Sequence, residues 1–237
     1  MPKSAVDYAT DNITVYRFCH FNCLYCWAWR LPLFASRIKR GKYNPIEEAK
    51  RYLKIKEPRV IVVSFTADPY LPEEKEKKLT RKVLEVLSNA RQHKVLILTK
   101  NPELALRDLD LMKKHGNMWL GTTITSLEPN IYEPRAPIPK RRLEALSKAH
   151  EQGIKTWISI EPIIPQITFP QAIIAKTKDY VDWYVLGALN YTTQLKLGYT
   201  KQELHSWYNE HVKQAIELLE FINNPYYIKK ELKRWLQ

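Results

Sequence analysis

Hydrophobic and polar positions along this chain switch repeatedly between two periods. Residues 13–16 (ITVY) form a short alternating, β-rich run that predicts a first strand. Residues 60–64 (VIVVS) are continuously apolar, the pattern of a parallel strand buried on both faces. Similar runs predict strands at 94–99, 118–125, 155–160 and 183–189. Between them the pattern lengthens to a helical one. Residues 45–54 follow a natural N-cap, Asn44, and begin with a first-turn proline, Pro45. Residues 74–91 place Leu79, Val83, Leu87 and Ala90 on one face. Residues 102–115 are closed by Gly116, and 140–152 by Gly153. A further helix is expected near 170–176, and Leu204, Trp207, Tyr208, Val212, Ala215 and Leu219 trace one face of a terminal helix. Residues 228–234 read as a short basic helix.

Six strands alternating with helices imply an α/β fold with a parallel sheet and right-handed crossovers. Six units are two short of a closed eight-stranded barrel, so a partial (β/α)6 barrel of the TIM type is expected. Residues 1–190 are read as its core and 191–237 as a helical extension packed on it. There is no internal repeat or low-complexity tract.

The chain has 237 residues, 45% of them hydrophobic, enough for one sizeable core. No apolar run approaches a membrane span, and residues 1–12 lack the apolar centre of a signal peptide. A cytoplasmic location is expected, where cysteines stay reduced and available to metals. The net charge of +13 favours nucleic acid or another polyanion as a partner; a Lys/Glu-rich solvated surface is the alternative.

All three cysteines fall in one eight-residue loop, Cys19-His20-Phe21-Asn22-Cys23-Leu24-Tyr25-Cys26. Thiolates are soft ligands suited to iron–sulfur clusters and zinc. A closed zinc site would need a fourth ligand, and His20 lies too near Cys19 to complete a relaxed tetrahedron easily. A 4Fe–4S cube is usually held by four cysteines, so three leave one iron free for a small molecule. The C-x3-C-x2-C spacing resembles the signature of the radical S-adenosylmethionine (SAM) superfamily. That resemblance implies a site-differentiated cluster on Cys19, Cys23 and Cys26, with SAM chelated to the open iron and Tyr25 near its adenine.

Polar groups recur where each predicted strand ends, the place where α/β barrels put their chemistry. They include Thr66 and Asp68 after the second strand, Lys100 after the third, and Thr123, Thr125 and Ser126 at the fourth. Ser159 and Glu161 close the fifth, and Asn190 and Tyr191 the sixth. The strings TADPYLPE at 66–73, LTR at 79–81, LTK at 98–100, EPRAP at 133–137, RRL at 141–143 and EPIIP at 161–165 resemble the spore photoproduct lyase-like branch of the superfamily. The resemblance covers roughly residues 13–190 and assigns roles position by position. Lys100 would pair with the SAM carboxylate. Thr66 and Asp68 would lie near its amino group or the substrate. Thr123 and Ser126 would bond its ribose or methionyl portion, and Glu161 a ribose hydroxyl. The hydrogen-donor cysteine of the spore lyase has no counterpart, because there is no fourth cysteine.

Residues 27–34 interleave aromatics with Arg30 and lead into a basic run through Arg37, Lys39, Arg40 and Lys42. They are read as a cover over the cluster, or as a surface that stacks on bases. Arg30, Arg37, Lys39, Arg40, Lys140, Arg141 and Arg142 are the candidate nucleic-acid contacts. The expected function is reductive cleavage of SAM to a 5′-deoxyadenosyl radical that abstracts hydrogen from a substrate, with a flavodoxin- or ferredoxin-type donor supplying the electron. A non-catalytic nucleic-acid-binding protein with a structural cluster or zinc is the alternative.

Overall fold

A computed structural model describes residues 6–33, 35, 43–63 and 66–236. Seven strands form one all-parallel sheet in sequence order, β1 (Asp11–Ile13), β2 (Val60–Val63), β3 (Lys94–Thr99), β4 (Met118–Thr123), β5 (Thr156–Ile163), β6 (Trp183–Ala188) and β7 (Tyr226–Ile228). The sheet curls into a half-barrel, the partial TIM-type α/β fold expected from the alternating pattern. Its convex face carries Ile61, Val63, Val95, Ile97, Leu120, Ile158 and Leu186, all buried in the core shared with the helices.

The concave face is built in layers. Val62, Leu96, Trp157 and Val185 form its apolar middle. Below them Tyr8 packs edge-on against Trp157 and Trp183, and Lys94 Nζ sits 3.5 Å from the centre of the Trp119 ring. This aromatic layer, with the Lys94 charge held over a ring face, stoppers the lower end. The upper end stays open because the next inward positions, Thr123 and Ser159, are small. Two glycines make the layers fit. A Cβ on Gly121 would lie 2.3 Å from the Trp157 indole, and one on Gly187 would lie 2.7 Å from Glu161 Cγ.

The structure differs from the sequence expectation at specific places. The first strand is Asp11–Ile13 rather than 13–16, because Asp11 to Ile13 pair in register with Ile61 to Val63. A seventh strand follows the expected six: Tyr226–Ile228 pairs with Tyr184 to Leu186 of β6. The basic helix expected over 228–234 shrinks to Lys230–Lys233. The helix expected over 74–91 divides at Lys78, which adopts φ 49°. The cause is Glu74, whose buried carboxylate accepts from the Thr80 and Arg81 amides and so starts a second helix, Leu79–Leu87. The helix expected over 102–115 is interrupted by a 3-10 turn, Leu106–Asp108. There Asp108 is drawn into the interior by Tyr70 Oη at 3.0 Å and by the guanidinium groups of Arg81 and Arg107, each at 2.9 Å.

Gly121→Ala is expected to cost about 1–3 kcal/mol, the price of overpacking a filled layer. Urea denaturation of the single variant, and of the same change in a Trp157→Leu background, checks this. The glycine substitution should cost clearly less once the indole is gone.

Candidate functional site

The open end of the half-barrel holds a cavity of about 780 Å³. Cys19, Cys23 and Cys26 line one side of it, and all three thiols are free. Their loop is tightly tethered. Leu24 N donates to Tyr132 O at 2.8 Å, and Arg30 Nε donates to Cys23 O at 3.1 Å. Cys26 N donates to Cys23 O, and Cys26 leads directly into the short helix Trp27–Arg30. Burial, with the Asp68 carboxylate nearby, pushes the Cys19 thiol up to about 12. Burial also raises Cys23, against the lowering influence of the Lys100 cation. His20 is turned toward Glu73, 3.3 Å away, and is not part of the cavity lining.

Asp68 lies at the end of the loop after β2 and is 8% exposed. Its carboxylate accepts from Tyr70 N at 2.8 Å, Thr99 Oγ1 at 2.6 Å and Lys100 N at 2.7 Å. These bonds commit it to fixing the end of β3, which aims the Lys100 side chain into the cavity.

A second carboxylate, Glu133, joins the loop after β4 to both the cysteine loop and Lys100. Tyr25 Oη donates to Glu133 Oε1, Lys100 Nζ stands 3.9 Å from the same oxygen, and Arg142 Nη2 contacts Oε2 at 2.5 Å. Arg142 is itself 1% exposed and donates to Thr123 O and Pro137 O. Burial works to raise the Glu133 pKa, but the Lys100 and Arg142 cations and the Tyr25 hydroxyl hold it below the usual carboxylate value. On the opposite side of the cavity Lys229 pairs with Glu161. Burial opposes the Lys229 charge, yet Glu161 and Glu231 raise its pKa above the ordinary lysine value.

The cavity brings together Tyr25, Thr66, Asp68, Lys100, Thr123 and Glu161 with the three cysteines. Ser126 stands apart. It does not line the cavity, and its hydroxyl donates to Glu128 O while accepting from Asn130 Nδ2 at 2.8 Å. Arg142 is buried and paired within the fold, so it offers no surface contact for phosphate. Arg141 is exposed and paired with Glu103 at 2.6 Å. Arg30 serves the cysteine loop itself. Arg37, Lys39, Arg40 and Lys42 lie outside the described residues, as does Phe34 of the expected cover, whereas Trp27 does line the cavity. No role for Glu133 is legible in the sequence, although it stands in the 133–137 string, nor for Lys229 and Glu231, which fall within the expected basic helix.

The donor set suits a cluster: three soft thiol ligands line one cavity beside a lysine. Among the described residues, no three His, Cys, Asp or Glu converge tightly enough to hold a single metal ion. The family profile of the radical SAM superfamily matches residues 13–169. The chain belongs to that superfamily, whose members use a 4Fe–4S cluster and SAM. It is 35% identical over 184 residues to an uncharacterized protein of Methanocaldococcus jannaschii, covering 75% of this chain and 70% of that one. It is 40% identical over 111 residues to an uncharacterized protein of Acidianus two-tailed virus, covering 45% of this chain and 36% of that protein. In fold it is similar to Streptococcus suis SuiB bound to S-adenosylmethionine, with TM-score 0.62 and 15% identity. That match takes in 92% of this chain and 50% of SuiB, so the chain spans half the length of SuiB. A spore photoproduct lyase variant gives TM-score 0.61 at 14% identity, over 95% of this chain and 75% of the lyase. Among the described residues no helix is long and apolar enough to cross a membrane.

Glu133→Gln is expected to destabilise the chain by about 3–5 kcal/mol at neutral pH, because it leaves buried cations short of an anion. The native pKa lies below the unfolded value. The wild-type advantage is therefore full above the unfolded carboxylate pKa of about 4.3 and shrinks as pH falls through the lower native one. Urea midpoints of both proteins between neutral pH and pH 3 check this, and a gap that stays constant on acidification contradicts it.

Proposed function

We propose that the chain is a radical SAM enzyme in which Cys19, Cys23 and Cys26 hold a site-differentiated 4Fe–4S cluster and the cavity takes SAM and a substrate together. The observation that carries this reading is the convergence of three free thiols and the Lys100 cation on one cavity at the strand ends. When bound, the cluster supplies one electron that splits SAM into methionine and a 5′-deoxyadenosyl radical, which takes a hydrogen atom from the substrate and leaves as 5′-deoxyadenosine. The electron comes from a flavodoxin- or ferredoxin-type donor.

The chain's own residues hold and shield the reactants. Lys100, held over Tyr25 with its ammonium 5.5 Å from the ring centre, offers a charge-assisted bond to the SAM carboxylate. Thr123 presents its hydroxyl to the ribose or methionyl portion, and Thr66 to the amino group. Asp68 acts on Lys100 through the backbone of β3 rather than on SAM directly. Trp27 and Tyr25 keep water from the cysteine side. Residues 1–190 form the catalytic core in this reading, and 191–237 complete the far wall.

Anaerobic reconstitution should load about four irons per chain and give 5′-deoxyadenosine with dithionite and SAM. Cys23→Ala should abolish both, and stoichiometric zinc without iron uptake would overturn the reading. Lys100→Ala should keep the cluster but weaken SAM binding more than tenfold, a loss on the order of 1.5–3 kcal/mol for one charge-assisted bond.

A nucleic-acid substrate is supported by the net charge of +13 and by the exposure of Lys140 and Arg141. If phosphates bind there, log affinity should fall with log salt by about 0.7–0.9 per contact, and Lys140→Glu/Arg141→Glu should lower that slope. Equal binding by both proteins removes this face from the substrate site.

A further inference from the structure

The side of the cavity away from the cysteines is chemically different. Ser159 and Glu161 reach it from β5, and Lys229 and Glu231 from the segment after β7. Lys229 and Glu231 lie beyond residues 13–169, the part matched to the superfamily.

The charges of this wall do not balance. Lys229 Nζ pairs with Glu161 and also stands 2.9 Å from Glu231 Oε1. One ammonium between two carboxylates leaves a negative charge uncompensated. Lys229 is the one polar partner that the Glu231 side chain has among the described residues, and it shares that partner with Glu161. Ser159 is 1% exposed, lines the same cavity, and has no hydrogen-bond partner for its hydroxyl among the described residues. Buried polar groups are normally satisfied, and one ammonium shared between two carboxylates leaves acceptor capacity at this wall. A locally negative wall inside a chain of net charge +13 runs against the overall composition, so general surface charge does not account for it.

We infer that this wall binds a cationic nitrogen of the substrate, a primary ammonium or guanidinium. Glu231 accepts its hydrogen bonds and the Ser159 hydroxyl gives a neutral polar contact beside it. The inference rests on the reading of the cysteine side as the SAM site, because the substrate then has the far wall to itself. A cation there supplies the missing countercharge and points the rest of the substrate toward the cysteine side.

The test is equilibrium dialysis of reconstituted, SAM-saturated enzyme against n-butylamine, with butyrate and 1-butanol as anionic and neutral matches. Nα-acetyl-lysine amide and agmatine enter as peptide-borne and guanidinium sources of the same charge. The expected result is one saturable amine per chain, with butyrate and butanol at least tenfold weaker. Tighter binding of the lysine amide than of butylamine assigns the cation to a peptide, and the reverse to a free amine. Glu231→Gln should weaken the amine about tenfold without altering the SAM titration. If that variant does not fold, the ligand series on the wild type decides alone. Equal binding of butylamine and butyrate, or displacement of the amine by added SAM, overturns the inference. A 5′-deoxyadenosine assay run in parallel keeps the two readings separable: amine binding without SAM cleavage retains the cationic subsite and rejects the enzyme assignment.

Discussion

The position of the cysteine loop depends on one buried carboxylate. Loops carry chemistry well only when a rigid scaffold holds them. Here Glu133 ties Tyr25 of the cysteine loop to Arg142 of the helix Pro139–Glu151 and stands near Lys100 from the end of β3. The Leu24–Tyr132 backbone bond runs alongside. Burying such a carboxylate is costly on its own, and the two cations with the Tyr25 hydroxyl offset that cost. Their interdependence makes the arrangement close to all-or-none. Without Glu133, two buried cations would face each other beside the cysteines, and the aromatic neighbour of Cys26 would lose its anchor.

The strand layers explain why the cavity opens at one end only. Large aromatics stopper the lower end around Tyr8 and Trp183. Gly121 leaves room for the Trp157 indole in the middle layer, and Tyr8, packed edge-on against that indole, lines the cavity. Above it the inward residues become small and polar, Thr123 and Ser159, before the charged groups begin. Gly187 then gives Glu161 room to lie along the wall and meet Lys229. Side-chain volume along each strand thus sets both the depth of the site and which residues can reach it.

What was legible in the sequence followed from local signals. The third strand, 94–99, matches to the residue because an apolar run between turn residues needs no tertiary information. The grouping of the three cysteines was equally plain, since all of them share one short loop. The errors arose where distant groups override local preference. Lys78 leaves the helix because Glu74 captures the amides that follow, and Asp108 bends the next helix inward toward Tyr70 and two arginines. β7 has three residues, too few for any periodicity, and exists because β6 offers it an open edge. Arg142 looked like a surface cation in a basic triplet. Only the fold turns it toward Glu133, and the same blindness hid the pairing of Lys229 with Glu161 across 68 positions.

The two ends of the cavity carry opposite electrostatic demands. At the cysteine end burial raises the Cys19 and Cys23 thiols, which favours their protonated forms, and a bound cluster must displace those protons. Lys100 there raises the local potential and favours thiolates and an incoming carboxylate alike. At the far end the excess carboxylate lowers it and favours a cation. A field running across one cavity orients whatever enters before any specific contact forms, and its low-dielectric walls strengthen that effect. Hydrogen abstraction depends on which carbon faces the radical, so a substrate anchored by charge at one end and free at the other is oriented by the fold itself.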